Sequence, residues 1–306
     1  MAFKTVRSVC LICAIALPAT AQDHDHKPIV VPSKPVISRI KVSYAVPHRV
    51  RIDGANNVLV ADTRAGVVFR TAPDGITAVL ANGLKEPVAL ASDEDGNVYI
   101  ATAAKGQTAA GHIYKVTPDG DRETLHSGLT GLSDIARDQN GVLTVALEKQ
   151  NRVIALREDG NRVTLSDRIK RPTALAHGQN GELFIASRAG QIWQLLPGKK
   201  LRKLADGLKS PSDMAVAPDG RLVIAATGER KLTVIKRGEQ PKTFANVLPN
   251  TISVAFSKDG NMVVANSEQQ SVTRVTSRFK GVCTHDGCNA EVKIIFKRPQ
   301  KKRSAF

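Results

Sequence analysis

Two tetrapeptides, Ser133-Asp134-Ile135-Ala136 and Ser212-Asp213-Met214-Ala215, set a carboxylate inside otherwise apolar, β-prone stretches. A carboxylate taken out of water needs a partner. The partners on offer are Arg49, backbone amides, or a Ca2+ ion held by oxygen ligands. Asp134 and Asp213 are therefore candidates for a structural bond to a neighbouring element, or for a calcium or catalytic site. His48 is a candidate general base, set against the ordinary role of a packed or solvated histidine. No Gly-x-Ser-x-Gly elbow and no glycine-rich phosphate loop is present. Near the C-terminal end, Cys283 and Cys288 are expected to form a local disulfide closing a hairpin between 280–282 and 292–296, with a zinc site using His285 as the alternative. At the other end, cleavage after Ala21 would expose Gln22-Asp23-His24. A free amine with His at position three can hold Cu(II) or Ni(II) in a square plane, and the alternative is a plain leader.

The elements that position these residues come from an internal repeat. Pro87–Ala101, Pro172–Ala186 and Pro211–Ala225 share the phrase Pro-x-x-apolar-Ala-x4-Gly-x-apolar-x-Ile-Ala. Its glycine recurs at 96, 141, 181, 220 and 260, with Asn56 in the same place in a first copy, at spacings of 40, 45, 40, 39 and 40 residues. Pro-Asp-Gly at Pro73–Gly75 and Pro118–Gly120 marks a second turn in each unit. Within the second unit the β-prone segments are 88–92, 97–102, 112–117 and 122–126. Four short strands per 40 residues, repeated, predict an all-β, six-bladed β-propeller with four antiparallel strands per blade. Ala89, Ala91, Ala174, Ala176 and Ala215 fall in the innermost strands, where blades converge and bulky side chains would clash. Phe69, Tyr114, Trp193, Tyr99 and Phe184 fall at matching strand positions and are expected to pack between blades. The sixth blade has only three strands by Thr276, so Ile37 to Ala45 is expected to supply its fourth, with Val292 to Lys297 the competitor for that edge.

The phrase at Pro87–Ala101, with Val60-Ala61-Asp62 in the first unit, resembles the NHL repeat over about residues 37 to 276. The pattern is also similar to the gluconolactonase/regucalcin group and to streptogramin lyase. NHL-type propellers mostly bind partners. The lactonase group implies a divalent metal held by a Glu and Asn/Asp residues at the starts of inner strands. Those places here hold His48, Val88, Ser133, Thr173, Ser212 and Ile252, so that ligand pattern is not reproduced. Asp134 and Asp213 stand one residue further, where other blades have Arg49, Ala89, Ala174 and Ser253. The sequence Cys283-Thr-His-Asp-Gly-Cys288 is similar to the first half of a Rieske iron–sulfur box, but the Cys-x-x-His half is missing and no such cluster can be completed.

In a propeller, the loops before the inner strand and those between strands two and three share one face. They carry His48, Arg49, Asp62, Arg64, Glu148, Lys149, Arg171, Arg188, Lys209, Arg230, Lys231 and Asn266, with cations in excess. Arg49, Asp62, Arg64, Glu148, Arg188, Arg230 and Asn266 are the candidate ligand contacts, and the anticipated ligand is anionic. The longer loop from Ala103 to Gly111 lies on the same face.

The net charge is +16, and residues 278–306 hold eight cations and two acids. Such a balance suits anionic surroundings. Lys4 and Arg7, an apolar run from Val9 to Leu17, and Ala19-Thr20-Ala21 have the form of a cleaved signal peptide. The expected organisation is a signal peptide over 1–21, a disordered leader over 22–36, the propeller over 37–276, and a basic hairpin and tail over 277–306. The expected protein is a secreted or periplasmic monomer with no transmembrane segment, binding or scaffolding an anionic ligand or protein partner. Export disfavours nucleic acid as that partner. The alternative is a metal-dependent lactonase-like hydrolase, or a lyase, with its site at the channel mouth.

Overall fold

The structure is a computed structural model describing residues 36–103, 110–157, 160–229, 231–236, 238–245 and 251–276. Residues 1–35, expected to be a signal peptide and leader, lie outside the described residues, as do Arg230, the centre of the 103–111 loop, Cys283, Cys288 and the 292–297 segment; Val36, assigned to the leader, instead opens the first strand. Strand β1 (Val36–Arg39) comes first. Blade one holds β2 (Pro47–Ile52), β3 (Val58–Asp62), β4 (Val67–Thr71) and β5 (Thr77–Ala81). Blade two holds β6 (Pro87–Ser92), β7 (Val98–Thr102), β8 (Gly111–Val116) and β9 (Arg122–Leu129). Blade three holds β10 (Leu132–Arg137), β11 (Leu143–Leu147), β12 (Arg152–Leu156) and β13 (Arg162–Ser166). Blade four holds β14 (Pro172–His177), β15 (Leu183–Ser187), β16 (Ile192–Leu196) and β17 (Lys200–Ala205). Blade five holds β18 (Pro211–Val216), β19 (Leu222–Ala226), β20 (Leu232–Ile235) and β21 (Lys242–Ala245). Blade six holds β22 (Thr251–Phe256), β23 (Met262–Asn266) and β24 (Ser271–Thr276), and β1 is its fourth strand. The chain is therefore a six-bladed β-propeller with four antiparallel strands per blade.

Burial follows strand rank. The second strands β3, β7, β11, β15, β19 and β23 are buried at every residue. Runs such as Val58-Leu59-Val60-Ala61 are apolar without alternation because both faces of the sheet meet a neighbouring blade. The outer strands β5, β13 and β17 are partly exposed to solvent, and each is buried only at its last residue. Each of the six blade–blade interfaces has its own apolar cluster. Tyr99 and Phe184 are buried in two of these, and Phe69, Tyr114 and Trp193 pack against others as partly buried rings.

The ring closes through β1, which runs antiparallel to β24 with Val36 opposite Thr276 and Arg39 opposite Thr273. The extended segment anticipated up to Ala45 is a strand only as far as Arg39. Ile40 still donates its amide to the Val272 carbonyl at 3.0 Å, and beyond it the chain leaves the sheet edge and is held as a strap. Asp62 accepts from the amides of Ala45 and Val46, at 2.5 and 3.0 Å. The Tyr44 ring, 4% exposed, meets Phe69 edge-on at 5.6 Å between centroids. A strand could not continue here, because the chain must turn inward to begin β2.

Every inner strand carries the same irregularity. The pairing of β2 with β3 skips from Pro47 to Arg49, and the equivalent skips fall at Pro87/Ala89, Leu132/Asp134, Pro172/Ala174, Pro211/Asp213 and Thr251/Ser253. A bulge re-aims the groups beside it. The bulged residues are His48, Val88, Ser133, Thr173, Ser212 and Ile252, the six places that the sequence pattern singles out. A chain truncated before Ile40 lacks β1 and exposes the edge of β24. Its melting temperature in scanning calorimetry should fall by roughly 5–10 °C, with concentration-dependent association in sedimentation. An unchanged midpoint would show that β1 does not close the ring.

Candidate functional site

The residue after each bulge forms one level of the axis: Arg49, Ala89, Asp134, Ala174, Asp213 and Ser253. The level two residues along holds Arg51, Ala91, Ala136, Ala176, Ala215 and Ala255. Five alanines and one arginine at a crowded level mean that Arg51 is admitted for a reason. Its guanidinium grips Asp213 with two bonds, Nη1 to Oδ2 at 2.9 Å and Nη2 to Oδ1 at 3.1 Å. Arg49 approaches Asp213 Oδ1 at 2.7 Å. Both arginines lie 3.5–3.6 Å from Asp134 Oδ1. The result is a neutral quartet spanning blades one, three and five, with Arg49 2% exposed and both aspartates fully buried.

The carboxylates also lock blade to blade. Asp134 Oδ2 accepts from the Leu175 amide of blade four at 2.8 Å. Asp213 Oδ2 accepts from the Val254 amide of blade six at 3.1 Å and from the Ser253 hydroxyl. Ser253 Oγ in turn accepts from the Val50 amide of blade one at 3.0 Å. Each bond thus runs from the axial side chain of one blade to the following amide of the next.

The two acids differ. Burial raises the Asp134 carboxyl above its ordinary value, and Arg49 and Arg51 do not offset that cost. Burial also raises Asp213, but Arg49 and Arg51 with the Ser253 hydroxyl outweigh it and hold the group below its ordinary value. Asp134 Oδ1 has no hydrogen-bond partner at bonding distance, in keeping with its longer contacts.

The quartet does not suit calcium as it stands. Calcium needs six to eight oxygens, and both carboxylates already face two buried guanidiniums that would repel a second cation. Among the described residues, no three His, Cys, Asp or Glu side chains gather as a metal site would require. His48 sits beside the quartet, its Nδ1 3.2 Å from the Val88 carbonyl. Burial and the Arg49 charge lower its pKa to about 4, which leaves a neutral, weakly basic ring.

The candidate ligand contacts separate into inward and outward groups. Asp62 is fully buried and its carboxylate is taken up by the amides of Ala45, Val46 and Ala65. Asn266, 2% exposed, accepts from the Gln269 amide across its turn. Both serve the backbone rather than face a ligand, because a short polar side chain at the end of the second strand caps the following turn. Arg49 likewise points into the axis. Arg64 is exposed on the face. Glu148, in a short helical turn over Glu148–Gln150, binds two arginines of blade four. Arg188 meets it through Nε at 2.5 Å and Nη2 at 2.9 Å, and Arg171 through Nε at 3.1 Å and Nη2 at 2.8 Å. Burial pushes the Glu148 carboxyl up, but the two guanidiniums together outweigh it and hold the group below its ordinary value. Arg171 and Arg188 stay 60% and 46% exposed. Arg51 escaped the sequence reading, although its place among five aligned alanines could have revealed it.

No family model matches the sequence, and no curated protein matches it. Solved structures do resemble the fold. Virginiamycin B lyase from Staphylococcus aureus superposes with a TM-score of 0.60 at 16% identity, covering 80% of this chain and 86% of the lyase. A gluconolactonase from Xanthomonas campestris gives 0.65 at 14%, covering 81% and 97%. A chain of a nidogen/laminin complex gives 0.58 at 18%, covering 68% and 81%. The chain is thus a propeller of gluconolactonase-like shape, and these identities carry the fold alone.

Removing the Asp213 charge leaves the buried Arg49 and the partly buried Arg51 guanidiniums short of a counterion. Asp213→Asn should cost about 3–5 kcal/mol at pH 7 in urea unfolding, and Asp134→Asn should cost less. Because the Asp213 carboxyl is held low, its contribution is complete above the unfolded value of roughly 4 and is lost as pH falls through the folded value. The gap between wild type and Asp213→Asn should therefore close in acid. Asp134 is held high, so the wild type gains stability relative to Asp134→Asn as pH falls through that value. Equal, pH-independent effects of the two variants would contradict this division.

Proposed function

We propose that this chain is an exported propeller of NHL type that binds an anionic ligand, or the anionic surface of a partner, on the face bearing Arg171 and Arg188. The supporting observation is the Glu148 clamp. One carboxylate fixes both guanidiniums by Nε and Nη2, so their remaining donors point outward from a rigid scaffold. Arg64, Lys85, Lys170 and Lys209 stand exposed in loops of the same face. The turns at the opposite ends of the blades carry exposed acids, among them Asp74, Glu94, Asp95, Asp119, Asp219 and Asp259. Exposed cations, Arg157, Lys199, Lys200 and Lys258, sit among those acids, so a ligand with several negative charges meets a surplus of cations on the first face and mixed charge on the second, which gives orientation as well as affinity.

The export expectation rests on the N-terminal pattern of Lys4, Arg7, Val9–Leu17 and Ala19–Ala21. A hydrolase or lyase reading has the likeness to virginiamycin B lyase and gluconolactonase in its favour, and would use the same face around His48. The neutral, weakly basic His48 gives that reading little to work with.

Titration of the processed protein with a sulfated polysaccharide, followed by calorimetry, tests the binding reading. Binding should weaken steeply between low and physiological salt, and Arg171→Gln with Arg188→Gln should lower affinity roughly tenfold or more with only a small change in melting temperature. Absence of binding to sulfated, carboxylated and phosphorylated polymers alike would overturn it. Turnover of lactones or of virginiamycin B, lost in His48→Ala, would favour the enzyme instead.

A further inference from the structure

The fourth strand of each blade is the outer edge of its sheet, with backbone donors and acceptors unpaired on one side. Five of the six edges are guarded by exposed cations: Arg39 in β1, Arg122 in β9, Arg162 in β13, Lys200 in β17 and Lys242 in β21. Charged side chains keep a further strand from adding to such an edge. Strand β5, Thr77-Ala78-Val79-Leu80-Ala81, carries no charge at all. Ile76 just before it is 71% exposed and Val79 within it 54%, and these are the large apolar side chains left open among the described residues. Ala78 stands exposed between them. An edge so bare is a place where another strand adds by backbone pairing.

The same chain supplies a strand beside that edge. Strand β24 ends at Thr276 in blade six, and its Arg274 donates from Nη1 to the Pro73 carbonyl at 3.4 Å, in the turn that leads into β5. Residues 277–306 therefore start close to β5. Within them, Val292, Ile294 and Phe296 alternate with Lys293, Ile295 and Lys297, so that the first three share one face of an extended segment. The edge of β24 is already taken by β1. The 15 residues from 277 to 291 reach roughly 50 Å when extended, well beyond the ~17 Å of a five-residue strand. We infer that Val292–Phe296 adds to β5 as a fifth strand of blade one, and so clasps blade six to blade one across the seam of the ring. Charge selects this edge. Residues 278–306 hold eight cations and two acids, so they are repelled by Lys200, Arg202 and Lys203 of β17. On β5 they meet no cation, and Asp74 stands exposed at its entry. A second copy of the chain is a poorer occupant. One five-residue strand pair buries far less than the about 1,200 Å² of a specific interface, whereas a tethered segment acts at a local concentration of about a millimolar.

Hydrogen–deuterium exchange of the full chain, resolved to peptides, tests this pairing. The amides of 291–297 should exchange roughly tenfold or more slowly compared with a free peptide of that sequence. Val79→Lys should abolish that protection and leave the melting midpoint nearly unchanged, because Val79 is exposed. Ile294→Lys should speed exchange in 77–81 and leave the outer strands at 162–166 and 200–205 as they were. Unprotected 291–297 in the wild type would overturn the inference. Protection that survives Val79→Lys would overturn it too, and would assign the segment to the hairpin with 280–282. Protection that rises with protein concentration would give the edge to a second copy instead. Should Val79→Lys fail to fold, Ile294→Lys decides, since that residue lies beyond the last blade: faster exchange in 77–81 supports the pairing, and unchanged exchange overturns it.

Discussion

Six inner strands drawn around one axis leave space for little more than a methyl group from each, and this crowding governs the rest of the molecule. Ten of the twelve places at the two axial levels obey it with alanine, with the small residue Ser253 or with a short aspartate. The two arginines break it. They fit only because each guanidinium is flat, lies across the axis and meets an acid from the opposite side. A quartet of this kind has no slack: losing one member leaves a buried charge with no water to turn to. Specificity of blade order follows. An acid in blade three, an acid in blade five and two cations in blade one tell nearly identical repeats apart, where the apolar clusters between blades would accept many partners.

Much of this arrangement could be read in the sequence. The recurring glycine fixed blade number, because each unit must turn back at the same point to cover its neighbour. The apolar runs at 58–61 and 98–101 marked strands with both faces covered. The closing strand was legible from a missing fourth segment in the last blade, although its length was not. Where a strand ends depends on the strap beyond it, and the strap is set by Asp62 and Tyr44, whose partners lie in other elements. The partnership of Arg49 with the two acids was also within reach. The bulge was not, since a one-residue skip in pairing leaves no mark in composition. Without it the carbonyls of Val88, Ser133 and Ser212 had no stated direction. Asp62 and Asn266 misled for a related reason: a polar residue before a surface loop looks the same whether it faces outward or caps the turn.

The two faces differ in kind. One presents arginines and lysines, part of them fixed by Glu148. The other mixes cations such as Lys199 and Lys258 with aspartates of the tight turns, which those turns prefer for their own backbone needs, as the partly buried Asp93 shows by accepting from the amide of Asn97. The acids of that face are thus a by-product of turn chemistry. The basic face has no such cause, and its charges are the ones free to serve recognition.

The pairing of β1 with β24 also sets how the ring responds to pulling. Val36 lies opposite Thr276, so the chain enters and leaves the blade at the same end of this short ladder. Tension between the two ends would peel the strands apart one bond after another, instead of shearing all the bonds together. A propeller joined in this way yields at its seam under modest load while its other five blades keep their sheets.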